Sequence, residues 1–340
     1  MQVTLKTIAE QTGVSISTVS RILSKDGRRR SGDTTAETVI KTAKELGYFD
    51  KGIFQFSSAK KKCHTIGCTF ISDHESFVSP FFAELLAGIR EEVKNQENLY
   101  ELTLLTFNCT EAGFEQSLEN AHLDGSIILG RTTRERVNSL KATIPHLVYA
   151  GLNRMEDMNQ VLCDAKKGIF AVVDHFVETG HMKIGFIGPA RAETQLLNEY
   201  RYLAYREALE KYNLPFDKNL VADSFLTASD GYQATQKLLS GGNRPTAIVC
   251  GNDNLAIGVE KACADSGIRI PEDIAIAGFD NIADAAFLRP SLTTIDVPKR
   301  DLGRYAVKLL LDCIESGRTY PIIIGLPSHL IVRESTVRRK

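Results

Sequence analysis

The 340 residues contain no tryptophan, and their seven cysteines are odd in number and scattered, without a Cys-x-x-Cys pair. Several of those cysteines sit inside apolar runs such as "TAIVCG", so buried reduced thiols are expected rather than disulfides or metal ligands. The seven histidines form no His-Glu-x-x-His or other zinc spacing, and neither a metal site nor a cofactor is expected. No Gly-x-Gly-x-x-Gly or Gly-x-x-x-x-Gly-Lys-Ser/Thr loop is present, which argues against a dinucleotide or nucleotide-hydrolysis site. A Ser-His-Asp order is missing too, and carboxylates such as Glu91 and Glu92 merely follow one another, so no enzyme is expected. No apolar run reaches the roughly 18 residues that span a bilayer. The opening residues show no basic start followed by an apolar stretch, and a cytoplasmic protein is the expectation.

What is present is ordinary in bulk: 43% hydrophobic and 24% charged residues. The length exceeds one ordinary core and suggests two or three domains. The formal net charge of −1 conceals an asymmetry. Residues 1–62 carry 12 Lys and Arg against 6 Asp and Glu, whereas the remaining 278 carry 29 against 36. A small basic head on an acidic body points to an anionic partner, nucleic acid first, with a merely solvated charged surface as the alternative.

Within the head, "TGVSISTVSRI" is rich in Ser, Thr and β-branched residues, all poor helix formers. The flanks nevertheless predict helices. Thr4 is a good N-cap, Leu5, Ile8, Ala9 and Thr12 share one helical face, and Gly13 can end that helix in the left-handed conformation. Ser15 then caps a second helix, along which Ile16, Val19, Ile22 and Leu23 recur at helical spacing. A third helix follows from Thr34 or Thr35, with Val39, Ile40, Ala43 and Leu46 as its apolar stripe, closing at Gly47. Two short helices about a glycine turn make a helix-turn-helix.

This stretch, "TLKTIAEQTGVSISTVSRILS" followed by "ELGY", resembles the opening of the lactose/galactose-repressor family of bacterial transcription regulators. The resemblance implies a head that binds double-stranded DNA. Ile16, Ser17, Ser20 and Arg21, with Ser24 near the end, lie opposite Val19 and Ile22 and face the groove. Ile16 and Ser17 then choose bases, while Ser15, Thr18 and Ser20 mostly contact backbone; a capping or solvated hydroxyl is the alternative for each Ser or Thr. Thr4, Arg29, Thr35 and Tyr48 complete the DNA-facing set, Arg29 from a run of three arginines suited to phosphate. The family's Pro-Asn and Ala-Arg-x-Leu hinge signature is missing from "YFDKGIFQFSSAKKKCHTIG". Phe54 or Phe56 could be the minor-groove wedge or dock on the body, and Lys60 to Lys62 read as flexible electrostatic tethers.

From Thr65 onward, eight short apolar runs alternate with amphipathic stretches: "TIGCTFI", "YELTLLTF", "GSIILG", "PHLVYA", "MKIGFIG", "LVADSF", "TAIVCG" and "DIAIAGFD". That alternation predicts two doubly wound parallel-sheet lobes, divided near "GLNRMEDMNQ". Ligands in such sheets bind beyond the carboxyl ends of strands. Those ends supply Ser72 to Phe77, Gly130 and Arg131, Ala150 to Asn153, Pro189 to Arg191, Asn252 with Asp253, and Asp280 with Asn281.

The family resemblance continues through "ETGHMKIGFIG", "EYRYLAYREAL", "PTAIVCGNDNLAIG" and "PSLTTID". It implies an α/β, periplasmic-binding-protein-like body in which Arg201, Asn252 and Asp280 hold a sugar-type effector. Residues Ser72 to Phe82 are expected to complete the pocket, with Phe77, Phe81 or Phe82 able to stack on a sugar face; a place in the core is the alternative for the aromatics of "SPFF". For Arg201, a surface charge paired with Glu199 or Glu207 is the alternative. Phe225 or Leu226 could also reach the ligand. Ala150 and Val297 stand where many relatives carry Asp and Gln, so the ligand does not transfer from familiar members. The expected layout is an all-α DNA-binding head at 1–48, a linker at 49–64 and an effector and dimerisation body at 65–340. Its first lobe takes about 65–161 and 297–327, its second about 162–296 and 328–340. The function implied is a repressor of a carbohydrate operon, a homodimer or alternatively a tetramer, acting on a near-palindromic operator. A purine corepressor, a phosphoprotein partner and a carbohydrate-binding transport protein are the alternatives.

Overall fold

A computed structural model describes residues 4–23, 34–46, 48, 61–71, 79–131, 133–190 and 199–337. The chain divides into two compact units, 1–61 and 62–340.

In the first unit, Thr4 opens helix α1 (Leu5–Thr12) with a capping box: its hydroxyl accepts the Thr7 N–H and the Thr7 hydroxyl accepts the Thr4 N–H, both at 3.3 Å. Gly13 then turns the chain at φ +71°, where a side chain would be strained. Helix α2 (Ile16–Leu23) starts at once, with the Ser15 hydroxyl accepting the Thr18 N–H at 3.2 Å. Helix α3 (Thr34–Glu45) completes the unit. Ile8, Val19, Ile22, Leu23, Val39 and Ala43 from all three helices form one small core. Burial of that stripe outweighs the poor intrinsic propensity of α2.

The second unit holds two parallel sheets. One has the spatial order β11-β5-β4-β3-β1-β2, with β1 (Lys62–Phe70), β2 (Tyr100–Asn108), β3 (Gly125–Leu129), β4 (Leu147–Gly151), β5 (Asn159–Cys163) and, from near the C-terminus, β11 (Ile323–Leu326). The other has the order β7-β6-β8-β9, from β6 (Ile184–Gly188), β7 (Val221–Asp223), β8 (Ala247–Cys250) and β9 (Ala275–Ala277). A short antiparallel pair joins β10 (Thr294–Asp296) with β12 (His329–Ile331). The helices between strands are α4 (Pro80–Asn95), α5 (Phe114–Asn120), α6 (Arg134–Thr143), α7 (Ala165–Glu178), α8 (Tyr200–Lys211), α9 (Ala228–Ser240), α10 (Asp253–Asp265) and α11 (Lys299–Ser316).

All eight expected apolar runs are strands, and the central ones are buried along their length, as parallel strands covered on both faces must be. Four further strands, β5, β10, β11 and β12, appear where no strand was expected. The division expected between residues 161 and 162 falls inside β5, whose whole length pairs with β4 or β11 in the six-stranded sheet. Strand β1 begins at Lys62, so Lys62, Cys63 and His64 belong to the sheet rather than to a linker. Lys62 is therefore no flexible tether: its ammonium pairs with Glu315, which also takes the His64 ring at 2.8 Å.

Two tight helix pairs flank the sheets. Where α4 meets α11, a Cβ on Gly88 would lie 2.1 Å from the Arg300 carbonyl oxygen and one on Gly303 would lie 2.2 Å from that of Leu85. Only glycine permits that approach. Helices α9 and α10 repeat the device through Gly231 and Gly258. Among the described residues, no helix is long and apolar enough to cross a membrane.

Candidate functional site

Each unit carries one candidate site. On α2, burial of Val19, Ile22 and Leu23 turns Ile16, Ser17, Ser20 and Arg21 outward, and Ile16 is 49% exposed. An exposed isoleucine beside three small or cationic side chains is a poor solvent face but a good groove face, able to meet a thymine methyl while Arg21 reaches guanine acceptors or phosphate. Ser15 is engaged in its cap and also lies 2.9 Å from the hydroxyls of Ser17 and Thr18. Thr18 is half-buried. Thr4 is exposed at the start of α1, and its hydroxyl serves the capping box. Thr35 and Tyr48 are half-buried; Tyr48 packs on the head's core and its N–H reaches the Ala43 carbonyl at 2.9 Å. Ser24 and Arg29 lie outside the described residues, as do Phe54 and Phe56.

In the body, a cleft lies at the carboxyl ends of strands from both sheets. Arg201, Asn252 and Asp280, named from three separate stretches of sequence, meet there with Phe82 and Leu226. Arg131 and Asn153 join them. Ser72 and Phe77 lie outside the described residues.

Arg201 is no surface charge, being 3% exposed. Its Nε donates to Glu199 Oε1 at 2.6 Å, its Nη1 to the Gly251 carbonyl at 2.6 Å, and its guanidinium lies 5.7 Å from the centre of the Phe279 ring. Glu207, the other expected partner, pairs with Lys166 instead. Asn252 is the N-cap of α10: its side-chain oxygen accepts the Leu255 N–H at 2.9 Å, and its amide donates to the Leu226 carbonyl at 3.3 Å. That amide therefore fixes the strand-to-helix turn while it lines the cleft. Phe82 is held edge-on to Phe70 and Phe81, at ring distances of 4.9 and 5.0 Å. Phe225 is 47% exposed and is not part of the cleft lining, which takes Leu226. Ala150 lines the cleft, whereas Val297 is buried in the core.

Asp280 has the left-handed φ of +113°, an unusual conformation for a residue with a side chain. Its N–H donates to the Ile295 carbonyl at 2.9 Å and its own carbonyl accepts from Lys299 Nζ at 2.6 Å. Lys299, 4% exposed at the start of α11, is a positioning residue that sequence reasoning missed. Glu199 was missed as well, having been weighed only as a surface partner. Burial by itself would push its carboxyl up, but the guanidinium groups of Arg201 and Arg131 outweigh burial and hold it below the usual carboxylate range. Neighbouring Asp253 is fully buried, and burial pushes its carboxyl up to about 7 although it accepts from Thr294 at 2.5 Å and the Ile282 N–H at 2.8 Å.

Its donors and acceptors beside apolar side chains are able to hold a polar small molecule, and among the described residues lining it there is no nucleophile–base pair. Among the described residues no group of three His, Cys, Asp or Glu side chains gathers as for a metal ion.

Comparison with known proteins matches residues 4–50 to the family described as bacterial regulatory proteins, lacI family, and residues 173–336 to the periplasmic binding protein-like domain. The NTD biosynthesis operon regulator NtdR of Bacillus subtilis is 32% identical, over 98% of this chain and 99% of that protein. Catabolite control protein A of Priestia megaterium is 29% identical, over 99% of this chain and 100% of that protein. The repressor PurR of Haemophilus influenzae is 30% identical, over 98% of each chain. These relatives are transcriptional regulators, not enzymes. Among solved structures, the regulator CelR in complex with cellobiose superposes with a TM-score of 0.70 at 25% identity, covering 98% of this chain and 100% of that one. An Enterococcus faecium regulator with bound ribose gives 0.68 at 27% identity, covering 81% of this chain and 100% of that one.

Proposed function

Because the chain belongs to the lacI family of bacterial regulatory proteins and is a DNA-binding repressor of transcription, we propose that a small sugar-type effector in the body's cleft controls its affinity for a near-palindromic operator. The observation that carries this reading is the convergence of Arg201, Asn252, Asp280 and Asn153 on one cleft. Fixed amides, a guanidinium and a carboxylate alternating around an apolar wall suit vicinal hydroxyls, each able to donate and accept. The ribose and cellobiose held by structural relatives support the same class.

In this reading residues 1–48 bind DNA, with Ile16, Ser17 and Arg21 reading bases and Thr4, Ser15, Thr18, Ser20, Ser24, Arg29, Thr35 and Tyr48 positioning the head. Two copies of the chain present two heads to two half-sites in the cytoplasm, and the regulated genes serve carbohydrate use. The effector acts through its different affinity for two arrangements of the lobes. A thermal-shift screen of the full chain against mono- and disaccharides, purines and sugar phosphates tests it. A stabilising mono- or disaccharide is expected. Stabilisation by a purine alone would replace the sugar with the corepressor class that a PurR relative suggests.

A further inference from the structure

The cleft contains two guanidinium groups, a combination that ordinarily makes a phosphate site. Among the described residues, both pair with the carboxylate of Glu199. Glu199 Oε1 accepts from Arg201 Nε at 2.6 Å and from the Arg201 N–H at 3.4 Å, while Oε2 lies 3.7 Å from Arg131 Nη1. The Glu199 side chain is only 10% exposed and that of Arg131 12%. Among the described residues, Arg131, Arg201 and Asp280 are the charged groups that line the cleft, and Glu199 pairs with both arginines. Arg201 is further fixed by the Gly251 carbonyl and the Phe279 ring, so it cannot swing away from Glu199 without losing both.

The geometry points to Glu199 as a specificity-determining charge gate: by neutralising Arg131 and Arg201 it lets the cleft take an uncharged polyhydroxy compound and turns away the phosphorylated form of the same compound. This rests on the sugar-type reading of the cleft and narrows it. Three features make the gate effective. Glu199 stays ionised at neutral pH, because the two guanidinium groups hold its carboxyl low despite burial. It caps α8, where its carboxylate accepts the Arg201 N–H as well as pairing with both guanidinium groups. Finally, it joins the lobes: Arg131 follows β3 of the six-stranded sheet, whereas Arg201 lies on α8 beside the four-stranded one. An entering phosphate would therefore meet a fixed like charge where it needs two cations. Neutral hydroxyls meet no such penalty and can share the same guanidinium groups as donors.

The test uses the full-length protein with inorganic phosphate as the first probe. Wild type is expected to show no phosphate-dependent rise in melting temperature, while Glu199→Gln gains one and binds phosphate at least about tenfold more tightly by calorimetry. Adding Arg131→Gln to that variant should remove the gain, which places the anion on the arginines. Glu199→Ala provides a second neutral variant should the glutamine form fold poorly. In a second arm, glucose and ribose are compared with glucose 6-phosphate and ribose 5-phosphate. A wild-type response to a free sugar without a response to its phosphate, reversed toward the phosphate in Glu199→Gln, supports the gate. Equal phosphate binding by wild type and a folded Glu199 variant overturns it. If no sugar binds wild type while the variant still gains phosphate, the sugar reading fails, and with it the admission of neutral sugars, and only the exclusion of phosphate by Glu199 stands.

Discussion

The ammonium of Lys299 lies 2.6 Å from the main-chain oxygen of Asp280 and 3.2 Å from that of Asn281. Both acceptors belong to residues with positive φ, +113° and +52°, in the loop that delivers the Asp280 carboxylate to the cleft. A buried cation at the start of α11 thus holds a strained loop, with Glu84 of α4 3.9 Å away as its counter-charge. Replacing it, as in Lys299→Met, leaves carbonyl oxygens unanswered. We expect this to lower the unfolding free energy of the body by about 2–4 kcal/mol in urea titrations and to weaken effector binding as the loop relaxes. Unchanged values for both would show that the loop is held by other contacts.

Asp280→Asn keeps the size of the side chain and removes its charge. A hydrogen bond to a charged group contributes about 1.5–3 kcal/mol, so sugar affinity should fall roughly 10- to 100-fold by calorimetry, while the folded body persists. An unaltered dose curve would remove Asp280 from the ligand set.

On the head, Arg21 is exposed whereas Val19 is fully buried. Arg21→Ala should reduce operator affinity by about 1–3 kcal/mol in gel-shift titrations and leave helix content by circular dichroism as it was. Val19→Ala should instead melt the small core and abolish binding through unfolding. If Arg21→Ala binds normally, the outward face of α2 is not the reading face.

Glu260 on α10 is mostly buried, and its Oε1 accepts no hydrogen bond among the described residues. Burial, and then the charge of Asp253, push its carboxyl up to about 8. Both groups have folded values above their ordinary ones, so the native state retains protons that the unfolded chain has lost. Their stabilising contribution is complete below about pH 4 and is lost as pH rises through about 7 for Asp253 and about 8 for Glu260. Glu260→Gln should therefore flatten the fall in melting temperature between about pH 5 and 8 and stabilise the body above pH 8. A pH profile parallel to wild type would contradict this.

Much of this was legible in sequence because burial leaves periodic marks. Val19, Ile22 and Leu23 betrayed a helix in a run whose local preference favours a strand, and tertiary packing prevailed. Continuous apolar runs marked the parallel strands, and the rule that ligands sit at their carboxyl ends pointed to Asn252 and Asp280, whereas Arg201, on α8, came from the family resemblance. Strand β5 escaped because "NQVLC" starts with two amides. Gln160 is buried there only because its side chain bonds the Met155 N–H at 2.7 Å and carbonyl at 2.6 Å, a local closure with no periodic signature. Strand β11 is an edge strand with alternate residues exposed, and it joins a sheet begun 261 residues earlier. Lys299 and Glu199 were hidden for the same reason: a charged residue reads as surface until its partners, distant in sequence or newly buried, are known.

Fluorescence anisotropy of the full chain on DNA carrying two half-sites, with and without the sugar that most raises its melting temperature, brings head and body into one experiment. A saturating sugar should change the DNA dissociation constant by about tenfold, and Asp280→Asn should shift that response to higher sugar concentration. A sugar that saturates the body and leaves DNA affinity unchanged would contradict control of the operator by this cleft.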